Sequence, residues 1–350
     1  MISMLFLCCL YKFNLRSIKN KNILKQCMFT IKYGSENITV DISEFLYNNL
    51  MTNGIIRIPR YDYQRWEAFS KPNIGIQKII EIIDGNGYKL NYNDTTEIYI
   101  DTNENKIYTI DCNIPKHIVD IYPEIIGNKL NLIHRIIPLK HDWFGTEIPE
   151  QVLAIKFLTG NEKVLEIGSN LGRNTFVMSY ILNKNNNTNL VSLESSSETY
   201  KKLVENKEGT GLNCFLENAA LSKRNLIQQI ETSTPSSWET IESDVVLEGY
   251  QKVNTITFNE LEKKYNITFD TLVLDCEGAF YYILSDMPEI LNNINLVIME
   301  NDYHNIEHKK YIDDNLKKNG LSVVYSEGGG WGPCADFFYE VWKRDIPSST

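Results

Sequence analysis

The sequence predicts an α/β protein, a Rossmann-like, mostly parallel sheet preceded by a smaller β-rich domain. Three observations point there. Beyond Gln151, apolar runs of strand length alternate with helical patterns, which is the texture of βαβ units. One of those runs, Lys163–Ile167, breaks into a glycine-bearing turn and then a helix, the arrangement that builds a nucleotide-cofactor site. Residues 29–110 instead carry short period-two segments punctuated by the turns Asp84-Gly85 and Asn86-Gly87.

A chain of 350 residues is long for one domain and comfortable for two. With 43% hydrophobic and 23% charged residues it has the composition of a soluble globular protein. The formal net charge of −10 argues against nucleic acid as the main partner, because phosphate binding needs a basic face and no Lys/Arg-rich stripe is present. Neutral or cationic ligands suit such a chain better. Seven cysteines at irregular spacing, with no CxxC pair, read as reduced thiols in a cytoplasmic setting. The apolar run Ile2–Leu10 is far too short to span a bilayer, and its positive charges follow it instead of preceding it as in a signal peptide. Residues 1–28 are therefore expected as a disordered leader, with Met28 an alternative start.

The first domain, 29–110, takes strands at Phe29–Tyr33, Asn37–Ile42, Ile55–Pro59, Gly75–Ile82 and Glu97–Asp101, with one helix over Ile42–Met51. Residues 111–150, with Pro115, Pro123, Pro138 and Pro149, read as a linker that is partly helical around Ile118–Ile126. The α/β domain then occupies 151–345. Its strands are Lys163–Ile167, Asn189–Leu193, Asn213–Leu216, Thr271–Leu274 and Asn295–Met299. The helices between and after them are Leu171–Leu182, Ser197–Asn206, Phe258–Tyr265, Ala279–Asp286 and Asn305–Lys318. A closing antiparallel pair, Leu321–Tyr325 and Phe337–Trp342, completes the sheet.

Four motifs carry the chemistry. The first is Glu166-Ile167-Gly168-Ser169-Asn170-Leu171-Gly172, running into Arg173-Asn174-Thr175. Gly168 and Gly172 permit a sharp turn and close approach of a ligand. Glu166 stands where a carboxylate can face the ammonium of a methionine moiety. A dinucleotide site wants G-x-G-x-x-G, but Asn170 replaces the glycine that would touch a pyrophosphate. The second motif ends a strand at Glu194, whose carboxylate can accept hydrogen bonds from both hydroxyls of a ribose; alone, it is equally an ordinary solvated strand end. The third, Asn218-Ala219-Ala220, leaves room and a pairing edge for adenine. The fourth is Asp275-Cys276-Glu277-Gly278, two carboxylates at i and i+2 after a buried strand, suited to general-base work or to capping the next helix.

Together Glu166–Thr175, Asn218–Ser222, Thr255–Leu261 and Asp275–Ala279, with the acidic strand end Val297–Glu300, resemble the FkbM family of methyltransferases over roughly Gln151 to Tyr303. That resemblance implies a class I methyltransferase fold, S-adenosyl-L-methionine as cofactor, and O-methylation of a sugar, glycan or related small molecule. It also implies cofactor contacts at Glu166, Gly168, Asn170, Gly172, Thr175, Glu194, Asn218 and Ala219. Two positions depart from the family pattern: Phe280 stands where a Glu is usual and Val273 where a Lys is usual. Phe280, Tyr281 and Tyr282 are expected to reshape the acceptor pocket, and Thr232–Tyr250, with Trp238, is a candidate acceptor lid or equally a surface insertion. The stretch Tyr33–Lys78 faintly resembles a C-terminal β-domain of J-proteins, which implies a module that binds protein or carbohydrate.

Methyl transfer requires alignment of acceptor, methyl and sulfur, plus a group that takes the acceptor's proton. Asp275 is the first candidate beside the reacting centre, Glu277 the second, and His304 the histidine candidate for the base. A divalent metal on Asp275, Glu277 and Asp302 is an alternative that nothing in the sequence requires; the metal-free arrangement is simpler. Two other classes compete. An NAD(P)-dependent oxidoreductase would share the strand, turn and Glu194, and a catalytically inactive scaffold would bind partners through residues 29–110.

Overall fold

The computed structural model describes residues 29–35, 38–60, 64–65, 78–93, 95–230 and 240–344. The expected leader 1–28, the stretch Ser70–Gln77 and Trp238 of the candidate lid lie outside them. The chain divides into two compact units, Met1–Ile107 and Tyr108–Thr350.

The first unit is built from β1 (Thr30–Ser35), β2 (Ile38–Asp41), β3 (Met51–Thr52), β4 (Ile55–Ile58), β5 (Ile79–Ile83), β6 (Lys89–Asn93), β7 (Ile98–Asp101) and β8 (Lys106–Thr109), with the helix α1 (Ser43–Asn49). Two four-stranded sheets form, ordered β2-β1-β5-β6 and β3-β4-β7-β8. Alternation decides their inner faces: Ile31, Tyr33, Ile80 and Ile82 from one sheet meet Ile56, Ile58, Ile98 and Ile100 from the other in a single core. Inside the second sheet Arg57 donates to the nearly buried Glu97 at 2.6 Å, and Tyr99 Oη donates to the same oxygen at 2.8 Å.

The second unit begins with three helices, α2 (Lys116–Ile121), α3 (Glu124–Ile136) and α4 (Ile148–Phe157). Residues 111–150 are thus no linker. Leu130, Ile133, Ile137 and Phe144 belong to the same core as Phe176, Val177 and Ile181, so burial of their apolar faces ties this segment to the α/β unit. Prolines mark helix starts here, with Pro115 and Pro123 as the residues before α2 and α3 and Pro149 in the first turn of α4.

The central sheet follows. Its first strands are β9 (Val164–Ile167), β10 (Leu190–Leu193) and β11 (Phe215–Glu217), separated by α5 (Arg173–Asn183) and α6 (Ser197–Thr210). A side excursion then makes β12 (Ala220–Leu221), β13 (Leu226–Gln229), β14 (Thr240–Glu242), β15 (Tyr250–Val253) and β16 (Thr255–Ile256). The chain returns through α7 (Phe258–Tyr265), β17 (Thr271–Leu274), α8 (Phe280–Asp286), β18 (Leu296–Glu300), α9 (Ile306–Lys318), β19 (Leu321–Glu327) and β20 (Tyr339–Arg344). The seven-stranded order is β11-β10-β9-β17-β18-β20-β19. The first five strands are parallel, while β20 runs antiparallel to both neighbours. This is a Rossmann-like doubly wound sheet whose order reverses between β9 and β17, the place where such sheets bind ligands.

Strand parity divides the unit into two cores. Leu165, Ile167, Val191, Leu193, Leu272, Leu274, Val297 and Met299 face α7, α8 and α9. Val164, Leu190, Val273, Leu296 and Ile298 face α3, α4 and α5. Among the described residues no helix is long and apolar enough to cross a membrane, and Cys112, Cys214, Cys276 and Cys334 are unpaired.

Candidate active site at the sheet reversal

The carboxyl ends of β9 and β17 meet at the reversal point. Gly168 has φ +92°, and a Cβ there would fall 1.6 Å from the Asp275 carbonyl oxygen. Only glycine lets the turn lie against the end of β17. Gly172 has φ +91°, with Phe176 and Leu203 filling the space a side chain would need. Asn170 sits between them at φ +47°. The backbone amide of Asp275 donates to the Ile167 carbonyl at 3.1 Å, which holds the two strand ends together.

Glu166 shares the parity of Val164 and points into the α3–α5 side of the sheet. It is 2% exposed, and the Thr175 hydroxyl donates to it at 2.6 Å. Burial pushes its carboxyl up to about 7 despite the hydrogen bond from Thr175. Through Thr175 it braces the first turn of α5, on the face of the sheet that Asp275 and Glu300 also take.

Glu194 ends β10 as expected. One oxygen accepts the Asn170 amide at 2.9 Å and the other the Ser196 amide at 2.8 Å, so the carboxylate fastens the glycine turn to the neighbouring strand. Burial raises its carboxyl to about 7 against those backbone bonds. Asn218 donates to the Glu194 carbonyl at 2.9 Å and accepts from the Ser197 hydroxyl at 2.8 Å. Asn218 and Ala219 line a cavity of about 450 Å³ with Asn254, Thr255, Glu260 and Lys264, on the β11 side of the sheet.

Beyond β17 the structure departs from the simple i, i+2 pairing. The strand stops at Leu274, and residues 276–279 turn. Glu277 takes φ +50° and is exposed, while α8 has no side-chain cap. Neither Glu277 nor Asp275 caps that helix. The Gly278 amide is held at 2.8 Å by Asp302 instead. His304 is exposed, its ring 4.6 Å from that of Trp331, and no hydrogen bond joins it to the carboxylates among the described residues. Phe280 is fully buried with Ile283 and Leu284 in the core facing α9, so it lines no acceptor pocket. The ring of Tyr281 stacks on His308 at 3.7 Å, and Tyr282 is exposed.

What the structure brings to Asp275 is Glu150 of α4 and Glu300 of β18, with carboxylate oxygens within 4.8 Å of one another. Parity explains the meeting: Asp275 follows Val273 and Glu300 follows Ile298, both on the face covered by α4. Burial and the neighbouring acids Glu147, Glu150, Asp302 and Glu277 hold the Asp275 carboxyl well above its ordinary range. Burial, Asp275 and Glu150 push Glu300 up to about 10, and burial with Glu277 takes Asp302 to about 7. Arg173, the basic side chain of the first motif, is bound to Asp142 and Glu147.

Sequence reasoning missed Glu150 and Glu147 because they lie in the segment read as a linker, and the role of Arg173 because its partners Asp142 and Glu147 lie there. Glu300 was visible as an acid ending an apolar strand, yet nothing local told which face it would take. The excursion between β12 and β16 forms a three-stranded sheet ordered β14-β13-β15, so the candidate lid is at least partly folded.

No family model matches the sequence, nor does any curated protein. Among solved structures the chain is similar to an O-methyltransferase from Bacillus cereus in complex with SAH, at 14% identity and TM-score 0.36, over 65% of this chain and 97% of that one. It is also similar to a fibrillarin from Aeropyrum pernix with natively bound S-adenosyl-L-methionine, at 10% identity and TM-score 0.36, over 76% and 93%. A protein of the NADB-Rossmann superfamily from Streptococcus agalactiae gives 13% identity and TM-score 0.37, over 59% and 71%. At that distance these likenesses add nothing to what the strand order already establishes, an α/β unit of Rossmann-like topology.

Proposed function

We propose that residues 108–344 form an S-adenosyl-L-methionine-dependent O-methyltransferase of FkbM-like type, acting on a hydroxyl of a sugar, glycan or related small molecule. The observation that carries this reading is electrostatic. Glu147, Glu150, Asp275, Glu300 and Asp302 crowd the carboxyl end of the sheet beside the glycine turn, where Arg173 is already engaged by Asp142 and Glu147. Even with some of these acids kept protonated by burial, such a site disfavours a pyrophosphate and favours a sulfonium and an ammonium. Asn170, in place of the glycine that a pyrophosphate would need, agrees with that preference.

In this reading Glu194 holds the ribose hydroxyls from the end of β10, with Asn218 and Ala219 beside the adenine. Gly168 and Gly172 shape the turn that passes close to the methionine portion. The bound cofactor supplies an electrophilic methyl group. Asp275 stands on the acceptor side, where it takes the hydroxyl proton as the acceptor oxygen bonds to the methyl carbon and the sulfur–carbon bond breaks. Glu277 and His304, both exposed, contribute to acceptor contacts more readily than to proton transfer. Residues 29–107 are proposed as a binding module for protein or carbohydrate.

The test is a calorimetric titration of the full chain with S-adenosyl-L-methionine, S-adenosylhomocysteine and NAD. Binding of the first two and not the third is expected. A ligand present at 100 times its Kd should add about 2.7 kcal/mol of stability. Preference for NAD would put the oxidoreductase in its place, and binding of neither would leave a scaffold.

A further inference from the structure

We propose that Glu150, Asp275 and Glu300 form a site for one divalent cation of the Mg²⁺ or Mn²⁺ kind. The three carboxylates come from three elements, the start of α4 and the ends of β17 and β18, and their oxygens lie within 4.8 Å of one another. Such convergence of like charges disfavours itself unless protons or a cation compensate. A second observation points to the cation. Glu150 is only 7% exposed, and its buried Oε2 has no donor within reach, its carboxyl meeting only the equally acidic Glu300, in a side chain turned into the cluster. A buried carboxylate oxygen left bare is costly and rare, and it marks a place where an unseen group completes the coordination.

The ligand chemistry narrows the choice of ion. All three donors are carboxylates, with no thiol or imidazole among them, which selects a hard cation over zinc or copper. Asp275 and Glu300 are mostly buried but partly open to solvent, while Glu150 forms the closed wall. The site is therefore open on one side, as suits an ion that keeps waters or takes oxygens from a bound molecule. No ion pair to any of the three is found among the described residues, and Arg173 is bound by Asp142 and Glu147. The frame is fixed from behind. Asn301, next to Glu300, donates to the Phe337 carbonyl at 2.7 Å and to Glu340 at 3.1 Å, and Glu340 is in turn held by the buried Lys309 at 2.7 Å.

Cation binding stands on this geometry alone. Its use rests on the methyltransferase reading: an acceptor with two neighbouring oxygens would chelate the ion, with one Asp275 oxygen on the metal and the other free for the proton.

The experiment is a titration of the chelator-stripped full chain with MnCl₂ alone, followed by electron paramagnetic resonance and calorimetry, without cofactor. One saturable Mn²⁺ per chain is expected, displaced by MgCl₂. Glu150→Gln, shown to be folded by circular dichroism, should weaken it at least about tenfold, and the surface variant Glu307→Gln should leave it unchanged. Should Glu150→Gln not fold, Glu300→Gln serves the same comparison. Absence of saturable binding in the wild type overturns the site, as does unchanged affinity in a folded variant. A parallel titration with S-adenosyl-L-methionine separates the two readings. Ion without cofactor binding leaves the metal site standing and removes the methyltransferase, and cofactor without ion binding does the reverse.

Discussion

At the residue scale, Glu194 has two duties. Its carboxylate accepts the amides of Asn170 and Ser196, and in the proposed reading it also accepts the ribose hydroxyls. Glu194→Ala orphans both amides, so a stability loss of about 1–3 kcal/mol should accompany weaker cofactor binding. Glu194→Gln keeps one acceptor oxygen but sets its NH2 against the other backbone amide, so it should lose affinity together with a stability loss of similar size. Calorimetry beside chemical denaturation on both variants checks this; equal affinity in folded Glu194→Ala would remove the residue from the cofactor site. Asp275 is the sharper test of the chemistry. Asp275→Asn preserves shape, so cofactor affinity should stay nearly constant while turnover falls by about 10²–10⁴-fold. Near-normal turnover would move the proton-accepting role elsewhere. Glu277, the second candidate for the reacting centre with helix capping as its alternative reading, caps no helix. Held at φ +50° in an exposed turn, it should tolerate Glu277→Gly with a gain of up to about 1 kcal/mol in thermal denaturation.

At the scale of elements, α3 shows how the segment 111–150 belongs to the α/β unit. Lys129 lies on its buried face, 4% exposed, with its ammonium on the Cys112 carbonyl and the Asn113 side chain at 3.0 Å each. Burial lowers its pKa from the usual range to about 8. Between pH 8 and about 10.5 the unfolded chain binds this proton and the folded chain does not, so stability rises with pH through that window. Below pH 8 both states carry the charge, and the penalty, on the order of 3 kcal/mol, is constant. Lys129→Met should abolish this rise, which urea denaturation at pH 8 and pH 10 would reveal; an unaltered slope would mean that the ammonium finds water in the folded state. Behind β18, Lys309 offers the opposite case. It is buried against Glu340 and Asp313, and its removal leaves Glu340 as an uncompensated buried charge. Lys309→Met should cost about 3–5 kcal/mol by the same measurement.

At the scale of the molecule, the two units bear on how the chain can be cut. A chain starting at Tyr108 retains α2, α3 and α4 and should fold and bind cofactor alone. One starting at Asn128 enters α3 after its first turn and strips Ile118 and Ile125 from buried positions, so it should aggregate. Soluble expression and cofactor titration of both fragments decide the matter, and a well-behaved fragment from Asn128 would restore the linker reading. The sequence alone was enough for the α/β class, the five parallel strands and their helices, because each strand is an apolar run and each helix repeats at 3.6 residues. It also marked Gly168, Gly172, Glu194 and Asp275, because a turn after a strand requires particular residue types at fixed offsets. The fate of Glu166, Glu277 and Glu150 was decided only in three dimensions. Whether a carboxylate at a strand end looks outward or is buried depends on strand order and on which helix covers that face, and neither is a local property of the chain. Glu150 meets Asp275 and Glu300 across 125 and 150 positions of sequence because α4 packs over the face that those two strand ends share. No spacing rule reaches that far; burial of the apolar side of α4 brings them together.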